Sequence, residues 1–410
     1  MTTPVLRPIA AEEFPQFYRA IAETFLDDVR ESDRESELAV FEPERSLAAF
    51  DDKEIVGTTT IISRGMTVPG GELPVAGVTA VSVTPTHRRR GLLTAMMRRQ
   101  LTELYEQRTE PVAALWASES MIYSRFGYGL AAQGAQLQAR TQALTLRPGT
   151  DLGGGRVRPA TEEEARPHLA RVYEAVRLRT PGFLDRCGRW WDQRLRDPEH
   201  QREGGAALRL ILYEEPSGEV SGYAMYRTKS RWQVSGPDGE IVIRELAAAT
   251  PQGQAALWSF LLSIDLVREV TRYLGPLDEP LLHLVTDPRA VRLSVMDHLW
   301  VRLADVGRAL AARRYGRELD VVLDVDDAFC PWNIGRWRLA AGPGGATCER
   351  TTDAADLALA STDLGAAYLG GTSLATLAAA GRVRELRPGA LEVAGWAFRA
   401  ERLPWCPEVF

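Results

Sequence analysis

An internal repeat sets the first limit on how this sequence can fold. The tripeptide LRP at 6–8, followed by EE at 12–13, recurs as VRP at 157–159 followed by EE at 163–164. Each copy leads into a stretch with helical spacing of apolar residues, FPQFYRAIAETF in the first and ARPHLARVYEAV in the second. The offset of 151 residues (6 to 157) is close to one domain length. The sequence therefore predicts two tandem copies of one fold.

The repeat and a later change of pattern divide the 410 residues into three predicted domains. The stretch RPGTDLGGG has linker composition and separates the two copies, which predicts domains over 1–150 and 155–294. From residue 295 onward, the apolar segments DVVLDVDDAF and LEVAGWAF lie on either side of the helical segment DLGAAYLGGTSLATLAAAGRV. This combination predicts a third domain of the α+β class over 295–410.

Composition and charge exclude several functional classes. The net charge of −6 disfavours nucleic acid and favours cationic partners. No stretch approaches the roughly 18 to 20 consecutive apolar residues of a membrane span. The N-terminal MTTPVLRPIAAEEF also lacks the basic-then-apolar pattern of a signal peptide. We therefore expect a cytoplasmic protein with neither a nucleic-acid partner nor a membrane partner.

The cysteines and histidines do not have the spacing of a metal site. The four cysteines are scattered along the chain without a CxxC pair: Cys187, Cys330, Cys348 and Cys406. The five histidines are dispersed as well. We expect buried thiols at these positions and no bound metal.

The stretch VTPTHRRRGLL, residues 83–93, places three arginines between a predicted strand and a predicted helix. The preceding VAGVTAVSV is rich in β-branched residues, and the apolar residues that follow recur at three- and four-residue spacing: Leu92, Leu93, Met96, Met97, Leu101 and Leu104. The first N–H groups of a helix lack intrahelical acceptors and attract anions. A run of three arginines is most often solvated surface, yet arginines at a helix start oppose the helix dipole unless an anion compensates them. Their position favours a bound pyrophosphate, although GxxxxGK[ST] and GxGxxG are both absent here.

This stretch resembles the coenzyme A loop of the GNAT acetyltransferases, [Q/R]-x-x-G-x-[G/A]. Arg88–Leu93 fits that pattern except at Leu93, where a small residue is usual. Together with PVAALWASE at 111–119 and IYSRFGYG at 122–129, it resembles the Eis-like (enhanced intracellular survival) N-acetyltransferases over nearly the whole chain. The resemblance implies an α/β and α+β architecture: two tandem GNAT folds, each a mixed, splayed central sheet with flanking helices, then a sterol-carrier-protein-like α+β domain. It also implies a homohexamer.

The resemblance further implies acetyl-CoA as co-substrate and assigns residues to it. The backbone of one strand would pair with the pantetheine arm and polarise the thioester carbonyl, a turn would wrap the pyrophosphate, and two residues would lie near the cofactor. These residues are Val81, Ser82 and Val83 on the strand, Arg88, Arg89, Arg90, Gly91, Leu92, Leu93 and Thr94 in the turn, and Ser118 and Glu119 near the cofactor. Ser118 is also predicted to cap a helix after the strand at 111–117.

Two residues are predicted to move protons. Tyr123 fits the GNAT pattern Y-x-[K/R]-x-G-[F/Y], and its phenol would act as general acid toward the departing thiolate. Any single tyrosine is more often a packed core residue, which is the role we expect for Tyr128. The resemblance implies that the C-terminal carboxylate of Phe410 is the general base, directly or through water. Chain termini usually fray, but LPWCPEVF is apolar and holds two prolines, unlike a solvated tail.

Acidic residues are predicted to recognise the acceptor, a small polycationic amine of the aminoglycoside or polyamine class. Asp27, next to Asp28, matches the acidic pocket position of relatives, and Glu408 is the second candidate. Ala80 stands where some relatives have an aromatic residue, which predicts a different pocket shape. Two other functions stay open: a protein-lysine acetyltransferase, and a lipid or small-molecule carrier with a vestigial GNAT domain.

The second copy is predicted to bind no coenzyme A. Its equivalent segment, IVIRELAAATPQGQAALWSFLL, predicts a strand followed by a helix, but Thr250–Gln254 carries no arginine. We expect this domain to wall the acceptor pocket and to hold the C-terminal domain. Trp190 and Trp191 are expected to be core or interface residues.

Overall fold

The computed structural model describes residues 4–410, which divide into two compact units. The first unit comprises the chain up to Ala132, together with His298–Glu401 and Val409–Phe410. The second comprises Gln133–Asp297 and Arg402–Glu408. No helix among the described residues is long and apolar enough to cross a membrane. The domain limits at 150, 155 and 295 remain predictions.

The strands, in chain order, are β1 (Val5–Arg7), β2 (Ser46–Asp51), β3 (Glu54–Val68), β4 (Gly71–Val83), β5 (Val112–Trp116), β6 (Gly129–Arg140), β7 (Arg156–Ala160), β8 (Arg209–Glu214), β9 (Val220–Lys229), β10 (Trp232–Gln233), β11 (Gly236–Pro237), β12 (Gly239–Ala248), β13 (Val267–Gly275), β14 (Val291–Leu303), β15 (Leu319–Asp326), β16 (Gly335–Gly342), β17 (Gly345–Arg350), β18 (Leu357–Ala360) and β19 (Val383–Glu385). The helices are α1 (Phe14–Thr24), α2 (Glu31–Leu38), α3 (Leu92–Gln107), α4 (Glu162–Arg177), α5 (Gly188–Leu195), α6 (Pro251–Leu262), α7 (Leu281–Leu284), α8 (Val306–Ala311), α9 (Ser361–Ala367), α10 (Leu374–Ala379) and α11 (Ala390–Phe398).

The N-terminal part of the first unit is a mixed sheet covered by helices on both faces. Its strand order is β1-β2-β3-β4-β5-β14, antiparallel throughout except for the parallel pair β4 and β5. Neighbouring strand residues point to opposite faces of a sheet. Ala48 and Phe50 of β2 pack in the cluster of α1, whereas Ala49 packs with Leu92 of α3. Helices α1 and α3 therefore cover opposite faces.

The second unit repeats this plan. Its sheet has the order β6-β13-β12-β9-β8-β7 and one parallel pair, β12 and β13. Leu212 of β8 packs in the cluster of α4, whereas Ile211 and Tyr213 pack in the cluster of α6. In both units a strand and two helices precede an antiparallel series, and a third helix then leads to the parallel strand. The tandem repeat predicted from the sequence is confirmed, and Trp191 is a core residue of α4's cluster.

The C-terminal part of the first unit is an α+β fold, as predicted. Its sheet has the order β17-β16-β15-β18-β19, with α8 to α11 in the same part of the chain. The buried guanidinium of Arg313 donates hydrogen bonds to the carbonyls of Tyr368 and Phe398, and it lies 4.6 Å from the centroid of the Tyr315 ring. A charged group is thus buried among aromatic rings in this part of the chain.

The expectation of buried thiols is correct at three positions and wrong at Cys187. Cys330, Cys348 and Cys406 are buried, whereas Cys187 is exposed. Cys187 immediately precedes α5, and its neighbours Gly188 and Arg189 are exposed as well. The chain at this point turns toward solvent before Trp191 enters the core.

A buried ion pair ties β14 to the loop that follows β15. Arg302 Nη2 lies 2.6 Å from Asp327 Oδ2, and both side chains are at most 1% exposed. Asp327 also accepts hydrogen bonds from the Cys330 amide at 2.9 Å and from the Asn333 side chain at 3.0 Å. Removing one member of a buried pair leaves an uncompensated charge in a medium that cannot solvate it.

We expect Asp327→Ala to lower the stability of the first unit by about 3 to 5 kcal/mol, because Arg302 then remains buried and unpaired. Thermal unfolding followed by circular dichroism measures the effect. Asp320→Ala is the matched control, because Asp320 forms a bidentate pair with Arg338 in which both side chains are 52% exposed. The melting temperature should fall several times more for Asp327→Ala. Equal shifts in the two variants would contradict the structural role of the buried pair.

Candidate functional site

Strand β4 pairs with β5 only along its first half. The parallel ladder joins Val75–Gly77 to Val112–Ala114 and ends there. Beyond it, β5 stays paired with β14 up to Trp116, whereas β4 stays paired with β3 up to Val83. Among residues 4–410, no strand pairs with the β5-facing edge of Val78–Val83. Buried backbone groups require hydrogen-bond partners, so this edge suits a ligand that carries amides.

A β-bulge at Ala80 sets the course of this unpaired edge. The register places both Ala80 and Val81 opposite Thr59 of β3. Ala80 has φ 53°, which is rare for a residue with a Cβ and stores strain. The Thr58 hydroxyl fixes the bulge, because it donates to the Ala80 carbonyl at 2.7 Å and lies 2.6 Å from the Ser82 hydroxyl. The predicted cofactor residues on this strand are thereby held in one conformation.

The three arginines form an exposed turn immediately before α3. Arg89 has φ 62° and Gly91 has φ 81°, while Arg88 has φ −63°, so left-handed residues alternate with others. Such alternation turns successive backbone N–H groups toward one side and creates an anion-binding concavity. No carboxylate in the described part of the chain pairs with Arg88, Arg89 or Arg90. A Cβ built at Gly91 meets nothing within 4 Å, so open space adjoins the turn.

The N-terminus of α3 has no side-chain cap. Gly91 occupies the N-cap position, and the free N–H groups of Leu92, Leu93 and Thr94 follow it. A contact with β2 holds the turn in place, because His87 Nε2 lies 3.0 Å from Asp51 Oδ2 at the end of that strand. Uncapped amides, a positive helix end and three guanidinium groups without a carboxylate partner among residues 4–410 together fit a doubly charged anion such as pyrophosphate.

Tyr123 lies buried at the start of the turn between β5 and β6. Tyr123 is 4% exposed and lies in one hydrophobic cluster with Val78 of β4 and Leu115 of β5, the two strands that separate. Burial, with a smaller contribution from Glu119, raises the pKa of Tyr123 to about 12. The phenol therefore carries its proton throughout the physiological range. Tyr128 is fully buried and packs edge-on against Tyr123, as expected for a packing residue.

Ser118 and Glu119 follow β5 and are both exposed. The predicted helix cap at Ser118 is wrong, because a bend and a turn follow β5 and lead to a single 3-10 turn at Ser124–Phe126. Gly127, with φ 84°, ends that turn. Only twelve residues separate β5 from β6 (117 to 128), and they carry no helical apolar repeat.

The predicted acceptor residues have different surroundings. The Asp27 and Asp28 side chains are 65% and 84% exposed, and both pair with Arg30, at 3.1 and 2.9 Å. The Glu408 side chain is only 11% exposed and pairs with Arg186 within the second unit. Phe410 is half-buried and belongs to the first unit, as Tyr123 does.

In the second unit, α6 corresponds to α3, and a side chain of the preceding residue caps its N-terminus. The Thr250 side chain accepts a hydrogen bond from the Gly253 amide of α6 at 3.1 Å. Glu215 lies beside this cap, at 3.0 Å from the Thr250 hydroxyl. A capped helix start next to a carboxylate repels anions, which supports the prediction that this copy does not bind coenzyme A.

Some residues of the site were not predicted from the sequence. Thr58 and Asp51 fix the bulge and the turn from strands that carry no motif. The Trp116 ring, at the end of β5, lies tilted by 35° against the His298 ring, with centroids 4.5 Å apart. The β-branched character of β3 was the only sequence signal for Thr58, and no local pattern marked Asp51 or Trp116.

Residues 4–410 contain no group of three or more His, Cys, Asp or Glu side chains that could hold a metal ion.

Three family models match successive parts of the chain. Two models described as acetyltransferase (GNAT) domains match residues 5–131 and 182–303. A model described as a sterol carrier protein domain matches residues 306–407. GNAT domains use acetyl-CoA.

Individual relatives cover the whole chain or most of it. An uncharacterized N-acetyltransferase of Streptomyces avermitilis is 46% identical and aligns over 100% of both chains. The N-acetyltransferase Eis of Mycobacterium tuberculosis is 37% identical over 81% of this chain and 80% of its own. The crystal structure of Eis1 from Mycobacterium abscessus superposes with a TM-score of 0.83 at 30% identity, over 99% of this chain and 100% of that chain. The chain belongs to the Eis-like family of GNAT N-acetyltransferases, enzymes with two GNAT domains and a sterol-carrier-like domain.

Proposed function

We propose that this acetyltransferase moves an acetyl group from acetyl-CoA directly to a primary amine of a small polycationic acceptor. The acetyl thioester supplies the acyl group, and the residues of the first unit bind it, orient it and handle the protons. The proposal includes no metal and no covalent enzyme intermediate.

One observation carries the proposal: an unpaired arginine turn at the uncapped start of α3. A charged cluster without carboxylate partners is unfavourable unless an anion neutralises it. Arg88, Arg89 and Arg90 would hold the pyrophosphate together with the amides from Gly91 to Thr94. The corresponding helix start in the second unit is capped by Thr250, so only the first unit offers this arrangement.

The unpaired edge of β4 would bind the pantetheine arm. Those amide and carbonyl groups of Val81–Val83 that point away from β3 have no strand partner on the side that β5 leaves open. A backbone N–H at this edge would polarise the thioester carbonyl and stabilise the charge that develops on its oxygen. Ser118 and Glu119 follow β5 and would line the opposite side of the opening.

Tyr123 would donate a hydrogen bond to the leaving sulfur. A phenol with a pKa of about 12 is a weaker acid than a thiol, whose usual pKa is about 8.5. Complete proton transfer to a thiolate is therefore unfavourable at equilibrium, and the catalytic gain comes from neutralising charge while it develops. The C-terminal carboxylate of Phe410 would take the proton from the attacking amine.

The acceptor class follows from exposed negative charge in the first unit. Asp27 and Asp28 share a single guanidinium, that of Arg30, so this pair keeps a net negative charge. Exposed carboxylates on a protein of net charge −6 attract polyamines and aminoglycosides.

The homohexamer remains a proposal. Light scattering tests it, because a hexamer has six times the mass of one chain.

A buried charge in the C-terminal part of the first unit disfavours the carrier alternative. Arg313 is buried there, and the aromatic rings of Tyr315 and Phe398 lie at 4.6 and 5.0 Å from its guanidinium carbon. A lipid chain would have to displace a hydrogen-bonded charge, which is costly.

Release of the coenzyme A thiol from acetyl-CoA tests the proposed function directly. Purified protein with a free C-terminus is assayed with polyamines, aminoglycosides and lysine-containing peptides. Release with a small polyamine or aminoglycoside supports the proposal. Release with lysine peptides alone would favour a protein-lysine acetyltransferase, and absence of acetyl-CoA binding would contradict the enzyme assignment for the first unit.

We expect Arg89→Ala to raise the KM for acetyl-CoA about tenfold while kcat changes little, because one charge-assisted hydrogen bond contributes about 1.5 to 3 kcal/mol. Steady-state kinetics with varied acetyl-CoA measures both constants. Arg108→Ala is the matched control, because Arg108 is an exposed arginine with φ 52° at the opposite end of the same helix. Equal changes in the two variants would contradict the assigned pyrophosphate contact.

We expect Tyr123→Phe to lower kcat about 10- to 100-fold with little change in acetyl-CoA binding, since only the hydroxyl is lost. The raised pKa of Tyr123 keeps the phenol protonated below about pH 10. The height of the pH profile should therefore fall while its acidic limb keeps its position. Tyr128→Phe serves as the control, because its buried hydroxyl lacks a hydrogen-bond partner among the described residues. A shifted acidic limb in Tyr123→Phe would show that Tyr123 has a different role.

A further inference from the structure

The C-terminal tail docks into the second unit before the chain ends. Trp405 and Cys406 are buried, and the Trp405 amide donates to the Pro181 carbonyl at 3.2 Å. The Trp405 ring packs edge-on against Phe183, with centroids 4.9 Å apart. This segment is therefore part of the folded core, not a solvated tail.

Glu408 ends the docked segment in a buried network of charges. Arg186 makes a bidentate pair with Glu245, at 2.8 Å for both bonds, and its Nε donates to Glu408. The Tyr173 hydroxyl lies 3.2 Å from Glu408 Oε1, and the Tyr173 ring stacks 3.8 Å from the Arg186 guanidinium carbon. Arg194 donates a further bond to Glu245 at 2.9 Å.

The central ion pair of this network is buried and charged. The Arg186 side chain is 1% exposed and the Glu245 side chain 3% exposed. Burial alone would lower the pKa of Arg186, but Glu245 and Glu408 hold it well above its usual value. Burial would likewise raise the pKa of Glu245, but Arg186 and Arg194 hold it far below its usual range. The two guanidinium groups of Arg186 and Arg194 thus balance the two carboxylates of Glu245 and Glu408.

The end of the chain lies a short distance beyond this network. Two residues follow Glu408, and two extended residues span at most about 7 Å between Cα atoms. Fixing Glu408 thus confines the terminal carboxylate to a small volume. Val409 is exposed, so the anchoring comes from Glu408 and the residues before it.

We propose that Glu408 is a positioning residue, which Arg186 holds so that the Phe410 carboxylate stands at a fixed place for proton removal. This inference rests on the proposed function, because it assigns the base role to that carboxylate. This role differs from direct recognition of the acceptor. Because Glu408 pairs with Arg186, little of its negative charge remains to attract a cationic acceptor.

The test compares Glu408→Gln with a matched variant of the same unit. Glu408→Gln keeps the shape of the side chain but removes its charge, so the bond from Arg186 weakens while the Arg186–Glu245 pair remains. Asp197→Asn is the control, because Asp197 pairs with Arg227 and Arg202 at side-chain exposures of 12% to 27% and forms no hydrogen bond or ion pair with residues 402–410. A variant with Gly-Ser appended after Phe410 gives the rates expected when the terminal carboxylate is displaced.

The kinetic result separates the possible roles. We expect Glu408→Gln to lower kcat about 10- to 100-fold for every acceptor, as a misplaced base does, with the KM for acetyl-CoA unchanged and the acidic limb of the pH profile shifted. The change should match that of the Gly-Ser variant in kind. An increase in acceptor KM alone would overturn the inference in favour of direct acceptor binding. Loss of melting temperature with unchanged kcat, as expected for Asp197→Asn, would overturn it in favour of a purely structural role.

A second measurement does not depend on activity. Carboxypeptidase A releases C-terminal phenylalanine from accessible tails, and the release of Phe410 is followed by mass spectrometry. We expect release to be at least tenfold faster in Glu408→Gln than in the parent protein or in Asp197→Asn. If the parent protein shows no acetyl transfer, the proposed function fails while this release still tests the anchor. Equal release from all three proteins would show that Glu408 does not fix the terminus.

Discussion

The site depends on a backbone constraint: a strand edge that the fold leaves without a partner. Strand β4 follows β3 while β5 follows β14, so the ladder between β4 and β5 stops at Gly77 and Ala114. The bulge at Ala80 stores strain exactly where the edge opens, and Thr58 holds it. Unpaired amides inside a protein are unfavourable unless a ligand satisfies them. The opening, the bulge and the arginine turn after Val83 are therefore consecutive parts of the surface that we propose binds acetyl-CoA.

The two repeats show how the same fold keeps or loses an anion site. Both place a strand, a turn and a helix in the same order, and both have a parallel strand after the helix. The difference lies in the helix start: Gly91 leaves α3 uncapped behind three arginines, whereas Thr250 caps α6 beside Glu215. A side-chain cap consumes the amide that an anion would need, which favours the prediction that the second copy does not bind coenzyme A.

Local patterns in the sequence predicted most of the fold and the anion turn. The repeat at 6–8 and 157–159 marked the start of each unit, and the apolar spacing after Gly91 marked α3. Contacts between distant segments had no such signal. The pairs Asp51 with His87 and Arg186 with Glu408 join residues 36 and 222 positions apart, which no periodicity reveals. The wrong helix cap at Ser118 has a related cause, because a cap residue predicts a helix only where an apolar repeat follows it.

Buried charges hold these distant segments in one arrangement. A buried ion pair adds little stability compared with packed apolar side chains, but it tolerates only one geometry. Arg302 with Asp327 fixes the loop after β15 to β14, and Arg186 with Glu408 fixes the last residue of the docked segment within the second unit. A guanidinium that already holds Glu245 at two points accepts the second carboxylate at its remaining N–H, and so defines where Glu408 lies.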